Sequence, residues 1–517
     1  MAGGGGWVVS SGAEGKRRAE LYTGGVTVYV VISCIVAAIG GSIFGYDLGI
    51  SGGVTSMDDF LLKFFPHVYN HKKFHSSDTD YCKYNNEALT AFTSSLYIAG
   101  LSLTYAASYT TQKYGRRTSI LIGGVSFLVG ATLNAFAQNL AMLIVGRIML
   151  GAGIGFGNQA VPLYLSEMAP AKFRGALNML FQLSTTLGIL IANLVNYATQ
   201  HIHPWGWRLS LGLAAAPAAL MTIGGIWLPE TPNSLIERGY HEQGRLVLQK
   251  IRGTQVVDAE FEDLVEASAA ANAVKHPFKN IFRKKNRPQL VMAIFIPAFQ
   301  QLTGINTILF YAPVIFQSLG FGGNASLISA VVTGAVICGA TLVSIAFVDK
   351  VGRKFFFLEG GLQMLLCQVS ISVLLKMYFG GDKLPSSVSV AVVVLISLFI
   401  AAFGWSWGPL GWLVPSEIFP LDTRSAGQSI TVSVNLLFTF IIAQSFLAML
   451  CAFKYGTFLF FAGLVLIMSL FVLSFLPETK NVPIEEMTFQ WRSHWFWKKV
   501  VPSEADQTQL NKLELDL

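Results

Sequence analysis

Asp47 places a carboxyl where membrane chemistry would use one. It stands in Ile43-Phe44-Gly45-Tyr46-Asp47-Leu48-Gly49-Ile50, inside an apolar run that begins near Thr27. An ionised Asp near the middle of a bilayer costs about 2.5 to 3.5 kcal/mol on insertion scales, so such residues face a cavity and have a partner. Arg147, in Ile144-Val145-Gly146-Arg147-Ile148-Met149, is the only Lys or Arg well inside another apolar run. Two readings are open for this couple. It is a structural ion pair that locks two helices, or it is a proton site, in which burial and a guanidinium together tune the carboxyl to load and release a proton.

A second stretch, Phe299-Gln300-Gln301-Leu302-Thr303-Gly304-Ile305-Asn306, has Pro297 before it and Pro313 after it. Amides donate and accept at once, as a neutral, hydroxyl-rich ligand needs. On a regular helix Gln301 and Asn306 lie about 140° apart. A distortion near Gly304 would turn both to one cavity, as in the discontinuous helices of transporters. Gln182 and Asn435 add amides at membrane depth. Each amide alone also reads as interhelical glue. Five of them in three helices, with Trp405, Trp407 and Trp412, point to a site where aromatic faces pack on a sugar's C–H faces and amides take its hydroxyls.

The elements that must position these residues follow from composition. The 517 residues are 53% hydrophobic and 13% charged, a polytopic membrane composition. About twelve apolar runs are long enough to span, and they must be helices, since barrel strands would alternate. With a cytoplasmic N-terminus, alternate loops receive 27 of the 36 Lys and Arg, the opposite side receives 8, and Arg147 is the remaining one. Both termini are therefore expected in the cytoplasm, and the net charge of +7 reflects topology rather than a nucleic-acid partner.

An internal repeat organises the chain. Lys113-Tyr114-Gly115-Arg116-Arg117 matches Lys350-Val351-Gly352-Arg353-Lys354. Val161-Pro162-Leu163-Tyr164-Leu165-Ser166-Glu167, followed by Arg174, matches Val414-Pro415-Ser416-Glu417, followed by Arg424; Leu228-Pro229-Glu230-Thr231 matches Leu476-Pro477-Glu478-Thr479. The order is kept, which predicts two six-helix halves duplicated in parallel. The expected divisions are a cytoplasmic tail (1–23), a first half (24–228), cytoplasmic linker helices (229–288), a second half (289–476) and a cytoplasmic tail (477–517). Arg116, Glu167 with Arg174, Arg353, and Glu417 with Arg424 lie at cytoplasmic span ends, where ion pairs that form and break suit a gate. The basic run Lys279 to Arg287 anchors the linker at the membrane surface or contacts anionic lipid.

Residues 54–87, long for a loop between spans, predict a folded extracellular cap. Cys82 and Cys451 both fall on that oxidising side; the expectation is a disulfide tying the cap to the second half, against the alternative of two free thiols. His67, His71 and His75 have helical spacing, but solvated cap residues are the better reading, and no metal site is expected.

The Gly-Arg and Pro-Glu-Thr motifs, Gln300-Gln301-Leu302-Thr303-Gly304-Ile305-Asn306 and Gly408-Pro409-Leu410-Gly411-Trp412 resemble the sugar porter family of the major facilitator superfamily, over roughly residues 24 to 490. Phe44-Gly45-Tyr46-Asp47, the long cap with Cys82, and Cys451 resemble most closely its plant monosaccharide/proton symporters. The resemblance implies an all-α membrane protein of twelve helices in the major facilitator fold. It implies that Gln182, Gln300, Gln301, Asn306, Trp412 and Asn435 bind hexose, that Phe44 and Leu48 touch it from the first half, and that Asp47 and Arg147 form the proton site. One position departs: family members usually carry an Asn where this chain has Ile337, which predicts weaker affinity or altered selectivity.

The expected function is import of hexose with protons across the plasma membrane by alternating access, by a chain working as a monomer with no cofactor beyond the proton. Alternatives are a facilitative uniporter, a polyol or inositol symporter, and a non-transporting sugar receptor. An enzyme is disfavoured, since the spans carry no nucleophile and base constellation.

Overall fold

The computed structural model describes residues 24–74, 86–170, 173–272, 277–318, 323–378, 385–420, 423–480 and 487–501. Every described element is helical. Ten helical stretches are long and apolar enough to cross a membrane. Two more crossings complete the set of twelve. The second span, Glu87–Lys113, is as long as the others but rich in Ser, Thr and Tyr; the seventh is broken into Arg287–Leu302 and Ile305–Ser318. Both depart from a continuous apolar helix because they carry polar groups toward the protein interior.

The first half comprises Val28–Ser56, Glu87–Lys113, Arg116–Ala135, Leu140–Met168, Leu180–Thr199 and the pair Gly206–Gly212 with Ala215–Trp227. The second comprises the broken seventh span, Gly323–Val351, Arg353–Tyr378, the pair Ser386–Trp405 with Trp407–Ile418, Arg424–Phe453 and Gly456–Phe475. Polar caps start several helices: Thr27 Oγ1 accepts from Val30 N, Asn86 Oδ1 from the amides of Ala88 and Leu89, and Asn139 Oδ1 from Met142 N. The first and fifth spans pack closest, because Gly41, Gly45 and Gly49 let the backbone of Phe181, Thr185 and Ile189 approach.

Between the first span and the second, helices Asp58–Phe64 and Pro66–Phe74 form a cap on one face. On the opposite face lie the linker helices Pro232–Glu237, His241–Arg252, Asp258–Asn272 and Pro277–Ile281. The halves meet along two seams, the second span with the eleventh and the fifth with the eighth. Near the cap face Ser94 Oγ donates to Gln444 Oε1 at 2.7 Å, and Asn193 Nδ2 donates to the Ala330 carbonyl at 2.9 Å. Near the linker face Asn178 Nδ2 donates to Ser416 Oγ at 2.7 Å.

Candidate functional site

The first span brings Asp47 and, one turn on, Ser51; the fourth brings Arg147; the second brings Phe92 and Tyr97. Arg147 Nη1 donates to Asp47 Oδ1, Nη2 donates to Ser51 Oγ at 2.6 Å, and the Tyr97 hydroxyl donates to Asp47 Oδ2 at 3.3 Å. The Phe92 ring lies against the guanidinium, its centroid 4.1 Å from Cζ. Asp47 is 1% exposed and Arg147 not at all. A charged pair so far from water is held by these extra partners, and removing one member would leave the other charge uncompensated at about 3 to 5 kcal/mol. The cap covers it: Phe60 packs on Phe92 at 5.3 Å and on Trp207 at 5.8 Å between ring centroids.

Deeper in, the seventh span breaks at Gly304, whose φ of +83° lies where L residues are strained, with the Phe461 ring against its Cα. The Thr303 carbonyl freed by the break accepts from Gln368 Nε2 at 2.8 Å. The turn sets Asn306 Nδ2 on Gln301 Oε1, so two amides that a regular helix would separate are in contact. Gln300 Nε2 donates to the carbonyls of Trp407 and Gly408 at 3.0 and 2.7 Å, and Asn435 Nδ2 donates to Gln300 Oε1 at 2.7 Å. Asn435 Oδ1 is buried with no hydrogen-bond partner among the described residues. The Trp412 ring meets the edge of Phe181 at 5.4 Å, which puts it across the halves from the fifth span that also carries Gln182. Gln182, Gln300, Gln301, Asn306, Trp412 and Asn435 are all more than nine-tenths buried, as are Phe44 and Leu48, one turn apart on the first span. Ile337, also buried, packs against the tenth span at Gly404 and presents no side-chain polar atom.

On the linker face each half builds the same clamp. Arg116 Nη2 binds Glu167 Oε1 at 2.8 Å and Nη1 binds Glu237 at 2.8 Å; Thr231 Oγ1 donates to Glu167 Oε2 at 2.6 Å, and the Arg116 amide donates to Glu230 at 3.0 Å. In the second half Arg353 Nη2 binds Glu417 at 2.7 Å, Thr479 Oγ1 donates to Glu417 at 3.0 Å, and the Arg353 amide donates to Glu478 at 3.0 Å. Gly115 and Gly352, at φ of +97° and +112°, open these turns, and a Cβ on either would meet the Glu230 or Glu478 carboxylate. The acids are thus gripped from within their own half by the Gly-Arg arginines, where sequence proximity had matched Glu167 with Arg174 and Glu417 with Arg424. Arg424 reaches across to Ser166 Oγ at 2.9 Å. The Arg174 side chain lies outside the described residues.

Cys451 is engaged in a disulfide, while Cys34, Cys338 and Cys367 are free. Cys82 and His75 lie outside the described residues, as does the side chain of His71. Among the described residues no group of three His, Cys, Asp or Glu is placed to hold a metal. Sequence reasoning missed Phe92 and Tyr97, which approach from another helix without any linear signal. Ser51 had one, its spacing of four residues from Asp47. The roles of Glu230 and Glu478 were visible as repeated residues but not as partners of a turn's amides.

Comparison with known proteins agrees with this geometry. The Sugar (and other) transporter family model matches residues 33–491. The chain is 66% identical over 492 residues to "Sugar carrier protein A" of Ricinus communis, covering 95% of this chain and 94% of that one. It is 65% identical to "Sugar transport protein 7" of Arabidopsis thaliana, covering 95% and 96%. Among solved structures it is similar to the proton:xylose symporter XylE bound to 6-bromo-6-deoxy-D-glucose, with a TM-score of 0.77 and 25% identity over 90% of this chain and 99% of that one.

Proposed function

Because the chain belongs to the Sugar (and other) transporter family, we propose that it is a hexose/proton symporter that works by alternating access between its two halves. It is an integral, multi-pass membrane protein, and its family transports rather than transforms its substrates. The observation that carries the proposal is the buried Asp47 and Arg147 pair, roofed by the cap and one helix turn from Phe44.

The mechanism follows from what each group gains or loses. With the cap face outward, a proton reaching Asp47 removes the negative partner of Arg147, which keeps Ser51 and Phe92. The first span is then free to shift, bringing Phe44 and Leu48 onto a hexose held by Gln182, Gln300, Gln301, Asn306, Trp412 and Asn435. When the linker face opens, proton loss restores the ion pair and draws the first span back, which releases sugar. The two linker-face clamps hold the span ends of each half together, so that opening separates the halves at contacts such as Arg424 with Ser166. The proton is the only coupling agent; no cofactor enters. The plasma membrane is the site of action, with both termini cytoplasmic, the chain works as a monomer, and Cys82 pairs with Cys451 to tie the cap to the second half.

The test is hexose uptake into liposomes holding the purified protein under an inward proton gradient. Accumulation above the outside concentration that collapses with a protonophore is expected. Equilibration alone would identify a uniporter, and binding without flux a receptor.

A further inference from the structure

The ninth span, Arg353–Tyr378, carries a second carboxyl within a membrane crossing, and the proton mechanism does not use it. Glu359 lies six residues from the linker-face end, about 9 Å along the helix axis. Such a group within a span calls for a partner and a role. Its Oε2 accepts from the indole Nε1 of Trp405 at 2.8 Å. Trp405 is the last residue of the first segment of the tenth span; at Ser406 the backbone turns to φ −117° and ψ −96°, and a new helix starts at Trp407. Trp412, the aromatic of the candidate sugar site, lies on that second helix. The ninth span grips the break twice more. Trp407 Nε1 donates to the Phe357 carbonyl at 3.1 Å, and the Phe357 and Trp407 rings meet at 4.5 Å. From the opposite side Gln300 Nε2 holds the Trp407 and Gly408 carbonyls.

We propose that Glu359 is a positioning residue for sugar recognition: by accepting the Trp405 indole N–H it fixes the tenth-span break and so the placement of Trp412 against the amides. A hydrogen bond to a carboxyl from an indole constrains a ring that is otherwise only packed, and it adds to the few bonds that Ser406 makes at the break, its amide to the Phe403 carbonyl at 3.2 Å and its hydroxyl to the Ala402 carbonyl at 2.5 Å. An acceptor is what the position requires, so an amide serves there and an aliphatic side chain does not. This inference rests on the symporter reading above.

The experiment compares wild type with Glu359→Gln, Glu359→Leu, Trp405→Phe and the double variant Glu359→Leu/Trp405→Phe, in liposomes, by the half-saturating glucose concentration, the maximal rate and the pH profile. Glu359→Leu and Trp405→Phe are each expected to raise half-saturation about tenfold, the scale of a lost hydrogen bond to a carboxyl. The double variant should be no worse than either single one, and Glu359→Gln should stay near wild type. All four should keep the wild-type pH profile, which a titrating role would alter. Unchanged half-saturation in both single variants, additive losses in the double one, or a changed pH profile in Glu359→Gln would overturn the inference. Glu359→Gln preserves volume and Trp405→Phe keeps an aromatic ring while removing the N–H, so the comparison of these two with wild type survives if Glu359→Leu fails to fold. Failure of wild type to accumulate glucose would instead sink the symporter reading, which separates the two outcomes.

Discussion

Asp47→Asn is the substitution that tests the coupling chemistry most directly. Asn keeps the side-chain shape and an oxygen for Arg147 Nη1, and Tyr97 and Ser51 keep their places, but no proton can be carried. In the wild type, one positive charge moving down 100 mV yields about 2.3 kcal/mol, and one pH unit adds about 1.4 kcal/mol. Together, about 3.7 kcal/mol sets a ceiling of about 500-fold for accumulation of a neutral sugar. For Asp47→Asn the ceiling is a ratio of 1, because no ion moves with the sugar. The unpaired guanidinium also lowers stability, by less than the about 3 to 5 kcal/mol of a wholly uncompensated charge, since Ser51 and Phe92 remain. The assay is paired: net glucose accumulation in liposomes with and without protonophore, and exchange of labelled for unlabelled glucose at equal concentrations. Exchange is expected to survive, showing a folded site, while accumulation vanishes. Protonophore-sensitive accumulation by Asp47→Asn would refute Asp47 as the coupling acid.

Three further perturbations address other parts of the molecule. Gly304→Ala forces a left-handed conformation on an L residue, about 1 to 2 kcal/mol, and drives a methyl into Phe461; lower thermal stability and weaker glucose affinity should appear together, and unchanged values in both would show that the break tolerates a side chain. Arg353→Ala removes the arginine from Glu417 and leaves it Thr479 among the described residues, so limited proteolysis should show faster cleavage on the linker face, with Arg353→Lys between it and wild type; equal cleavage rates would remove the clamp from the gating scheme. Ile337→Asn supplies the amide that the family resemblance leads one to expect at this position and should lower half-saturation about fivefold, the scale of one net hydrogen bond of about 1 kcal/mol; an unchanged value in uptake assays would mean that this position does not face the sugar.

The twelve crossings were legible because apolar runs of that length have few other uses, and the duplicated motifs divided them into halves. The charged couple was legible for the same reason, since Asp47 and Arg147 interrupt such runs. Its environment was not. Phe92 and Tyr97 reach the pair from the second span, and nothing in their local sequence marks that approach. The clamps illustrate a different limit. Arg116 grips Glu167 from more than fifty residues away, a partnership that closeness in sequence does not suggest and that the Gly115 turn makes possible. Glu359 also lies in an apolar run, but its partner Trp405 is a helix away and no local pattern links the two. Gln300 and Asn435 were visible as amides, while their contact depends on the seventh and eleventh spans packing side by side.

The two functions are divided between the halves, so something must join them. The candidate proton pair belongs to the first half, and five of the six candidate sugar positions, Gln300, Gln301, Asn306, Trp412 and Asn435, belong to the second. Tyr97 touches both systems: its hydroxyl donates to Asp47, and its ring lies 5.6 Å from that of Phe310, one turn beyond Asn306 on the outer part of the seventh span. The first span also meets this segment directly, at Gly52, where a Cβ would collide with the Phe310 carbonyl. The outer part of the seventh span is joined to its inner part through the Gly304 break and can rotate there with little loss of helical bonding. A proton on Asp47 therefore acts where the halves touch, on a segment that carries Asn306 at its inner end. Charge neutralisation and closure over the sugar are adjacent events in this architecture, and coupling needs no longer path than two helix turns.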